Sequence, residues 1–279
     1  MPGALDCREY RESCTMPGPP LQSRETAMDI KPPYGYSEIV PLTTAARVRI
    51  STDTLPAVFH TMNAIPLSYA EIALASRDYP IAFVSGDGER SFLAMAILGL
   101  EAQQNLFVNE KATWDPNTYV PAYVRRYPYC MARVTAGGKE QEERIACIEK
   151  SALSEKGDAL YDKKGKPLPA WEATKNLLFE FEADLTRTEE MCSTLQSLGL
   201  FEPFSVQAVP KGGTPLEMTG VHRVAEQKLA ELSGDDLKML MQKGVLSRVY
   251  AHILSQLNFQ RLLDRRAAKL ATAEGATLQ

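Results

Sequence analysis

A chain of 279 residues, 44% of them hydrophobic and 24% charged, is long and apolar enough to bury a substantial core, in one large domain or two small ones. Its 31 Lys and Arg against 35 Asp and Glu leave a formal net charge of −4. There is no global positive field for a phosphate backbone, which disfavours a dedicated nucleic-acid binder. No apolar run approaches the roughly 18 residues of a membrane span, the longest lying near Phe92 to Leu100, so the chain reads as soluble with no membrane span.

Residues 1–28 carry Arg8, Arg11, Pro17, Pro19, Pro20 and Arg24 without an apolar stretch. That excludes a secretory signal peptide and is expected of a disordered leader. Met28 opens a more regular stretch, Asp29-Ile30-Lys31-Pro32-Pro33-Tyr34, and is an alternative to Met1 as the native start. From Glu38 to Ile50, the residues Ile39, Val40, Leu42, Val48 and Ile50 are scattered among Thr and Arg, which fits one or two opening strands. Ser68, three residues before Glu71, has the capping-box spacing and predicts a short helix. Pro80 ends it, because the residue before a proline is pushed out of the helical region.

Ile81 to Val84 and Ser91 to Leu98 flank Gly86-Asp87-Gly88, whose glycines permit a tight hairpin turn. Leu106-Phe107-Val108 reads as a further short strand, and Tyr129 to Val134 is expected to pair with Glu143 to Ile148 across Gly137-Gly138. Between them Pro121 opens one helical turn, at the position where its missing N–H costs nothing. Strands that return about every eight to twelve residues argue for an antiparallel sheet rather than a doubly wound parallel one.

Residues 29–152 thus form a β-rich half, 153–168 a turn-rich polar connector, 169–270 a helical half and 271–279 a tail. In the helical half, Trp171 to Leu198 places Leu178, Phe181, Leu185, Cys192 and Leu195 on one face, and Gly199 is suited to cap its end. Met218 to Val224 reads as a strand, and Ser233 with Asp236 opens a short helix closed by Gly244. A last helix from Leu246 presents Leu246, Val249, Ile253 and Leu257 at helical spacing. Its end gathers Arg261, Arg265, Arg266 and Lys269 against Asp264, either as a solvated helix end or as a surface for a partner, nucleic acid or an acidic membrane. The fold class is α+β, an antiparallel β-rich N-terminal half packed with a C-terminal group of helices as one integrated domain.

One plan is used twice. Arg77-Asp78-Tyr79-Pro80 and Arg125-Arg126-Tyr127-Pro128 each lead into a short apolar run that ends in a glycine turn. Guanidinium forks hold carboxylate or phosphate, and phenols stack and hydrogen-bond. On that ground Arg77, Tyr79, Tyr123, Arg125, Arg126 and Tyr127, with His222, are the candidate ligand-binding residues. In the competing reading each tyrosine packs across its sheet while the arginine satisfies carbonyls at the strand mouth. His60, His222 and His252 stand in no metal-ligand pair; His222-Arg223 beside Gly220 is the best placed of them.

The cysteines Cys7, Cys14, Cys130, Cys147 and Cys192 include no Cys-x-x-Cys, and read as reduced, mostly buried thiols of a cytoplasmic protein. There is no phosphate-loop pattern and no Gly-x-Ser-x-Gly elbow. No residue is therefore assigned a catalytic role, and neither a metal nor a cofactor is expected.

Longer stretches resemble a known family. Pro66-Leu67 with Glu71, Tyr79-Pro80-Ile81, Leu98-Gly99-Leu100, Asn105-Leu106-Phe107-Val108, Trp114 and the run Tyr119-Val120-Pro121-Ala122-Tyr123-Val124-Arg125-Arg126-Tyr127-Pro128 are similar to the bacterial SapC family. Gly165-Lys166-Pro167, Thr186-Arg187-Thr188, Leu200-Phe201-Glu202-Pro203, Gly244-Val245-Leu246 and Tyr250-Ala251-His252 extend the resemblance to about Asp264. It implies an association with a bacterial surface layer and carries no catalytic residue, cofactor or reaction. A transporter permease that shares the name spans membranes and is a different protein.

Two functions follow from these residues. The first is a soluble, non-catalytic accessory or binding protein linked to the cell surface or envelope, which meets an unknown protein or a small anionic ligand through its Arg/Tyr-Pro region. The alternative is an enzyme acting on a small anionic metabolite through an Arg/Tyr/His cleft.

Overall fold

A computed structural model of the chain describes residues 30–50, 54–86, 91–136, 139–208 and 216–277. The expected leader with Cys7 and Cys14, the turn residues Asp87 and Gly88, the Gly137-Gly138 turn and the last two residues of the tail lie outside them. In chain order the strands are β1 (Ile39–Pro41), β2 (Arg47–Val48), β3 (Ala64–Pro66), β4 (Ile81–Gly86), β5 (Ser91–Ile97), β6 (Tyr129–Ala136), β7 (Lys139–Glu149), β8 (Asp158–Ala159), β9 (Phe201–Ala208) and β10 (Leu216–Val224). The helices are α1 (Val58–Thr61), α2 (Ile72–Ala75), α3 (Ala122–Arg125), α4 (Pro169–Ser197), α5 (Glu226–Ala230), α6 (Gly234–Gln242), α7 (Val245–Ser255) and α8 (Asn258–Thr277). The described strand pairs are antiparallel and lie mostly in the N-terminal half, with the helices mostly in the C-terminal half, so the class is α+β.

The residues form two compact units that interleave along the chain. The first takes Thr54–Pro121 and the chain from Arg187 onward; the second takes the described residues up to Asp53 and Ala122–Thr186. Helix α4 crosses the boundary in sequence.

In the first unit a five-stranded sheet runs β3-β5-β4-β10-β9. The β4/β5 hairpin pairs from Ile81↔Ala96 to Gly86↔Ser91, and β10 joins β4 through Val221↔Val84 and His222↔Phe83. Every residue of β5 is buried, and all but Ser85 of β4. Both sheet faces are therefore covered there, which is why these strands read as continuous apolar runs instead of alternating ones. The chain leaves β5 through Gly99, where a Cβ would meet the Gln104 carbonyl oxygen at 2.0 Å, so only glycine fits that turn.

The second unit holds a three-stranded sheet, β1-β7-β6, and a two-stranded ribbon, β2-β8. The β6/β7 hairpin sets Tyr129 opposite Ile148 and Cys130 opposite Cys147. Tyr129, Met131, Ile148, Leu160, Trp171 and Leu178 build its core around Val48.

Several elements depart from the sequence expectation for identifiable reasons. Val108 makes only an isolated bridge to Trp114, so Leu106-Phe107-Val108 is a buried loop rather than a strand. The capping box at Ser68 is half made: Ser68 N–H and Oγ both donate to Glu71 Oε2, at 3.2 and 2.8 Å, and the helix itself starts at Ile72. The single last helix is two, because Ser255, Gln256 and Asn258 turn their side chains to the chain around β4. Ser255 Oγ donates to the His252 carbonyl at 2.6 Å and accepts Ile81 N–H at 3.0 Å, while Gln256 Nε2 donates to the Ile81 carbonyl at 2.8 Å. Side chains that bond to backbone in this way compete with the helix ladder. Its buried face is Val245, Val249, His252 and Ser255, whereas Leu257 is 74% exposed. Helix α8 continues over 271–277.

Candidate functional site

The first Arg-x-Tyr-Pro stretch links α2 to β4 in the first unit. Tyr79 is fully buried; its hydroxyl donates to the Tyr119 carbonyl and accepts Trp114 Nε1–H at 3.0 Å. Burial pushes this phenol up to about 12, against the opposing hydrogen bonds of Thr118 and Trp114. Its ring meets Phe107 edge-on at 4.6 Å. Asp78 Oδ2 accepts Tyr119 N–H at 2.9 Å, and the Tyr79 carbonyl accepts Asn258 Nδ2–H at 3.1 Å. The Arg77 side chain is exposed, and its carbonyl accepts Arg261 Nη1–H at 2.7 Å.

His222 lies on β10, buried, with its ring 5.0 Å from Phe92 in an edge contact. Arg223 leaves the opposite face of the strand and pairs with Glu202 at 2.7 Å. This is the alternation that a strand over 219–224 predicts.

The second stretch links α3 to β6 in the second unit, across a cis Tyr127-Pro128 bond. Arg126 is only 2% exposed. Its guanidinium carbon lies 4.3 Å from the Tyr123 ring centroid, 4.8 Å from Phe181 and 5.8 Å from Tyr36, a stacked aromatic setting that favours a cation. Nη1 reaches Glu182 Oε1 at 3.3 Å, while Arg144 from β7 pairs with Glu182 Oε2. One carboxylate on α4 thus bridges two buried guanidiniums, an arrangement whose members depend on each other.

Tyr123 is fully buried and donates to the Tyr34 carbonyl; burial drives its phenol well above its ordinary value, with the nearby Arg126 charge opposing. Tyr36 donates to the Tyr129 carbonyl at 2.8 Å. Tyr127 is half-buried with its ring 5.2 Å from Tyr36, and its phenol is raised by burial and then by Glu149. Arg125 is exposed.

Of the sequence-predicted residues, Tyr123 and Arg126 are brought into direct contact; Tyr127 joins them through Tyr36. Arg77, Tyr79 and His222 belong to the other unit. Sequence reasoning passed over Glu182, Arg144, Tyr36 and Phe181. The available signal was Glu182 itself, a carboxylate between Phe181 and Leu185 on an otherwise apolar helix face.

Cys130, Cys147 and His252 are held away from neutral titration. Burial pushes the Cys130 thiol up to about 12 and raises Cys147 as well, and it pushes the His252 imidazole down to about 4. Among the described residues no group of three or more His, Cys, Asp or Glu is placed to hold a metal ion, and no helix is long and apolar enough to cross a membrane.

The basic end of the last helix is engaged within the first unit. Arg265 pairs with Asp115 at 2.8 Å, and Arg266 holds Glu101 through two contacts of 3.1 Å. Lys269 Nζ donates to the Asn105 and Val108 carbonyls at 2.8 and 2.9 Å. These cations fasten the loop that follows β5.

A family model for SapC matches residues 44–262, which include both Arg-x-Tyr-Pro stretches. No curated protein and no solved structure matches the chain.

Proposed function

The chain belongs to the SapC family, and on that premise we propose that it is a non-catalytic accessory or binding protein of the bacterial cytoplasm, linked to cell-surface or envelope function. The observation that carries this reading is the protonation state of three buried side chains, Tyr79, Cys130 and His252, that acid–base chemistry would otherwise draw on. A general acid or base works best with a pKa near the operating pH. Tyr79 and Cys130 are pushed up to about 12 and His252 down to about 4, so each keeps one protonation state across neutral pH.

What remains for recognition is narrower than the whole motif. Tyr79, Tyr123 and Arg126 are buried in their units, whereas Arg77 and Arg125 are exposed and Tyr127 is half-buried. Of the motif's side chains the exposed Arg77 and Arg125 are the guanidiniums nearest solvent, and a guanidinium suits a carboxylate or phosphate on a protein or small anion.

Arg77→Ala and Arg125→Ala, singly and together, test this. Affinity capture from a bacterial envelope extract with the full chain is expected to recover a defined partner that the double variant loses, at unchanged thermal midpoint. Unaltered capture by the folded double variant would remove the arginines from the reading. Turnover of a small anionic metabolite that depends on Arg77 and His222 would replace it with the enzymatic alternative.

A further inference from the structure

We propose that the turn over residues 162–166, with the β2-β8 ribbon that leads into it, is a docking surface for an anionic phospholipid membrane. After β8 the chain folds back on itself. Tyr161 bridges Pro167, Asp162 N–H donates to the Lys166 carbonyl at 2.8 Å, and Leu168 N–H donates to the Leu160 carbonyl at 2.8 Å. Gly165 sits at φ +77°, a conformation that glycine adopts without strain. Asp162 Oδ1 accepts the Lys164 and Lys166 N–H groups, each at 2.8 Å, so the one carboxylate of the turn is committed to its backbone. Lys163, Lys164 and Lys166 are left exposed at the tip.

The ribbon adds to this charge. Arg47 and Arg49 flank the buried Val48 and are exposed, because alternate side chains of an extended segment leave by opposite faces; Lys156, in the turn before β8, is exposed too. Residues 47–50 and 154–168 thus hold six cations against the carboxylates Glu155, Asp158 and Asp162, in a chain whose formal net charge is −4. Among the described residues none of the six makes an ion pair, whereas Arg223, Arg265 and Arg266 in the other unit each hold a carboxylate. A group of about four to eight Lys and Arg is what the negative potential of an anionic leaflet attracts. Shape and composition then choose among polyanions. A turn tip is convex and suits a plane of headgroups, while a single nucleic-acid strand is held in a groove with stacking aromatics, and residues 162–168 contain no aromatic side chain. Leu168, at the base of the hairpin, is 36% exposed and Ile50, beside Arg49, is 47% exposed; a bilayer interface accepts such apolar side chains next to cations.

The full chain is expected to cosediment at low salt with vesicles of phosphatidylcholine and phosphatidylglycerol but not with phosphatidylcholine alone, and to be released as salt screens the charges. Lys163→Gln, Lys164→Gln and Lys166→Gln should each lower the partition coefficient about fivefold, at unchanged thermal midpoint because these side chains are exposed. None of these residues is Arg77 or Arg125, so vesicle binding and partner capture can fail separately. An absence of binding to the mixed vesicles overturns the proposal, as does binding that persists in the folded triple variant or on neutral vesicles. Binding to a short DNA duplex but not to vesicles would assign the lysines to nucleic acid and overturn it equally.

Discussion

His252 accepts the Val224 N–H at 3.1 Å through Nε2, a bond that only the unprotonated nitrogen can make. Burial, partly opposed by the Ile81 carbonyl, holds its pKa at about 4 against an ordinary 6.5. The unfolded chain therefore binds a proton near pH 6.5 that the folded one refuses until about pH 4, and stability must fall as pH falls through that window. A displacement of this size corresponds to about 3 kcal/mol between the two ends. Urea midpoints at pH 7, 5.5 and 4.5 should decline more steeply for the wild type than for His252→Gln, which has no proton to bind; equal slopes would remove His252 as the cause. The cysteines call for a different measurement. Cys130 and Cys147 are buried with raised pKa values, so few thiolates form and none is reached by solvent. Both should resist a thiol reagent in the native protein and react on unfolding, as read by mass spectrometry; rapid native labelling would contradict the burial. Sequence spacing singles out Arg126 but not its counter-ion, because Glu182 lies 56 residues away.

At the level of elements, legibility followed how many faces each one buries. Helix α4 has one apolar line, Leu178, Phe181, Leu185, Cys192 and Leu195, and all five are buried in a helix that ends at Ser197, two residues before Gly199 with φ +66°. Helix α7 spreads Val245, Leu246, Val249, Tyr250, Ile253 and Leu254 over a wide arc, so periodicity alone fits several lines equally well. The line Leu246-Val249-Ile253-Leu257 fits helical spacing, whereas the polar His252 and Ser255 lie inward because the backbone of β4 and β10 offers them partners. Strand β9 is not legible in the sequence for a related reason. It is an edge strand whose sequence Phe201-Glu202-Pro203-Phe204 lacks alternation, and proline is tolerated at an edge. The cationic end of α8 shows a charge pattern that sequence reads in two ways and contacts resolve. Replacing Arg266 and Lys269 by Ala frees Glu101 and the Asn105 and Val108 carbonyls, so hydrogen exchange should quicken over residues 99–115 while β4 and β5 stay protected. These groups are partly exposed, which limits the loss in global stability to about 1–2 kcal/mol. Uniform acceleration across the whole unit would mean that α8 supports the core and not the loop.

Across the whole molecule, strand spacing correctly indicates the α+β class, whereas local composition carries no trace of the interleaving. Strand β10 returns from late in the chain to pair with β4, and one unit boundary, between Thr186 and Arg187, falls inside the unbroken helix α4. Nothing in the residues there changes character. The two tryptophans divide between the units, Trp114 in the first and Trp171 in the second, and both are buried. Each unit therefore has its own fluorescent reporter, isolated by Trp171→Phe or Trp114→Phe. Glu182 belongs to the second unit, where its removal leaves two guanidiniums, each about 2% exposed, without the carboxylate that bridges them. Breaking a buried ion pair by deleting one partner typically costs about 3–5 kcal/mol, since the surviving charge stays desolvated. Glu182→Ala should accordingly lower the unfolding midpoint seen by Trp171 more than that seen by Trp114. Replacing all three charged residues, with Arg126→Met, Arg144→Met and Glu182→Leu, should recover much of the loss, because the bridged charges are removed together. Equal shifts at the two tryptophans in Glu182→Ala would show that the units unfold as one, and an undiminished Trp171 midpoint would show that the cluster is held by contacts other than Glu182.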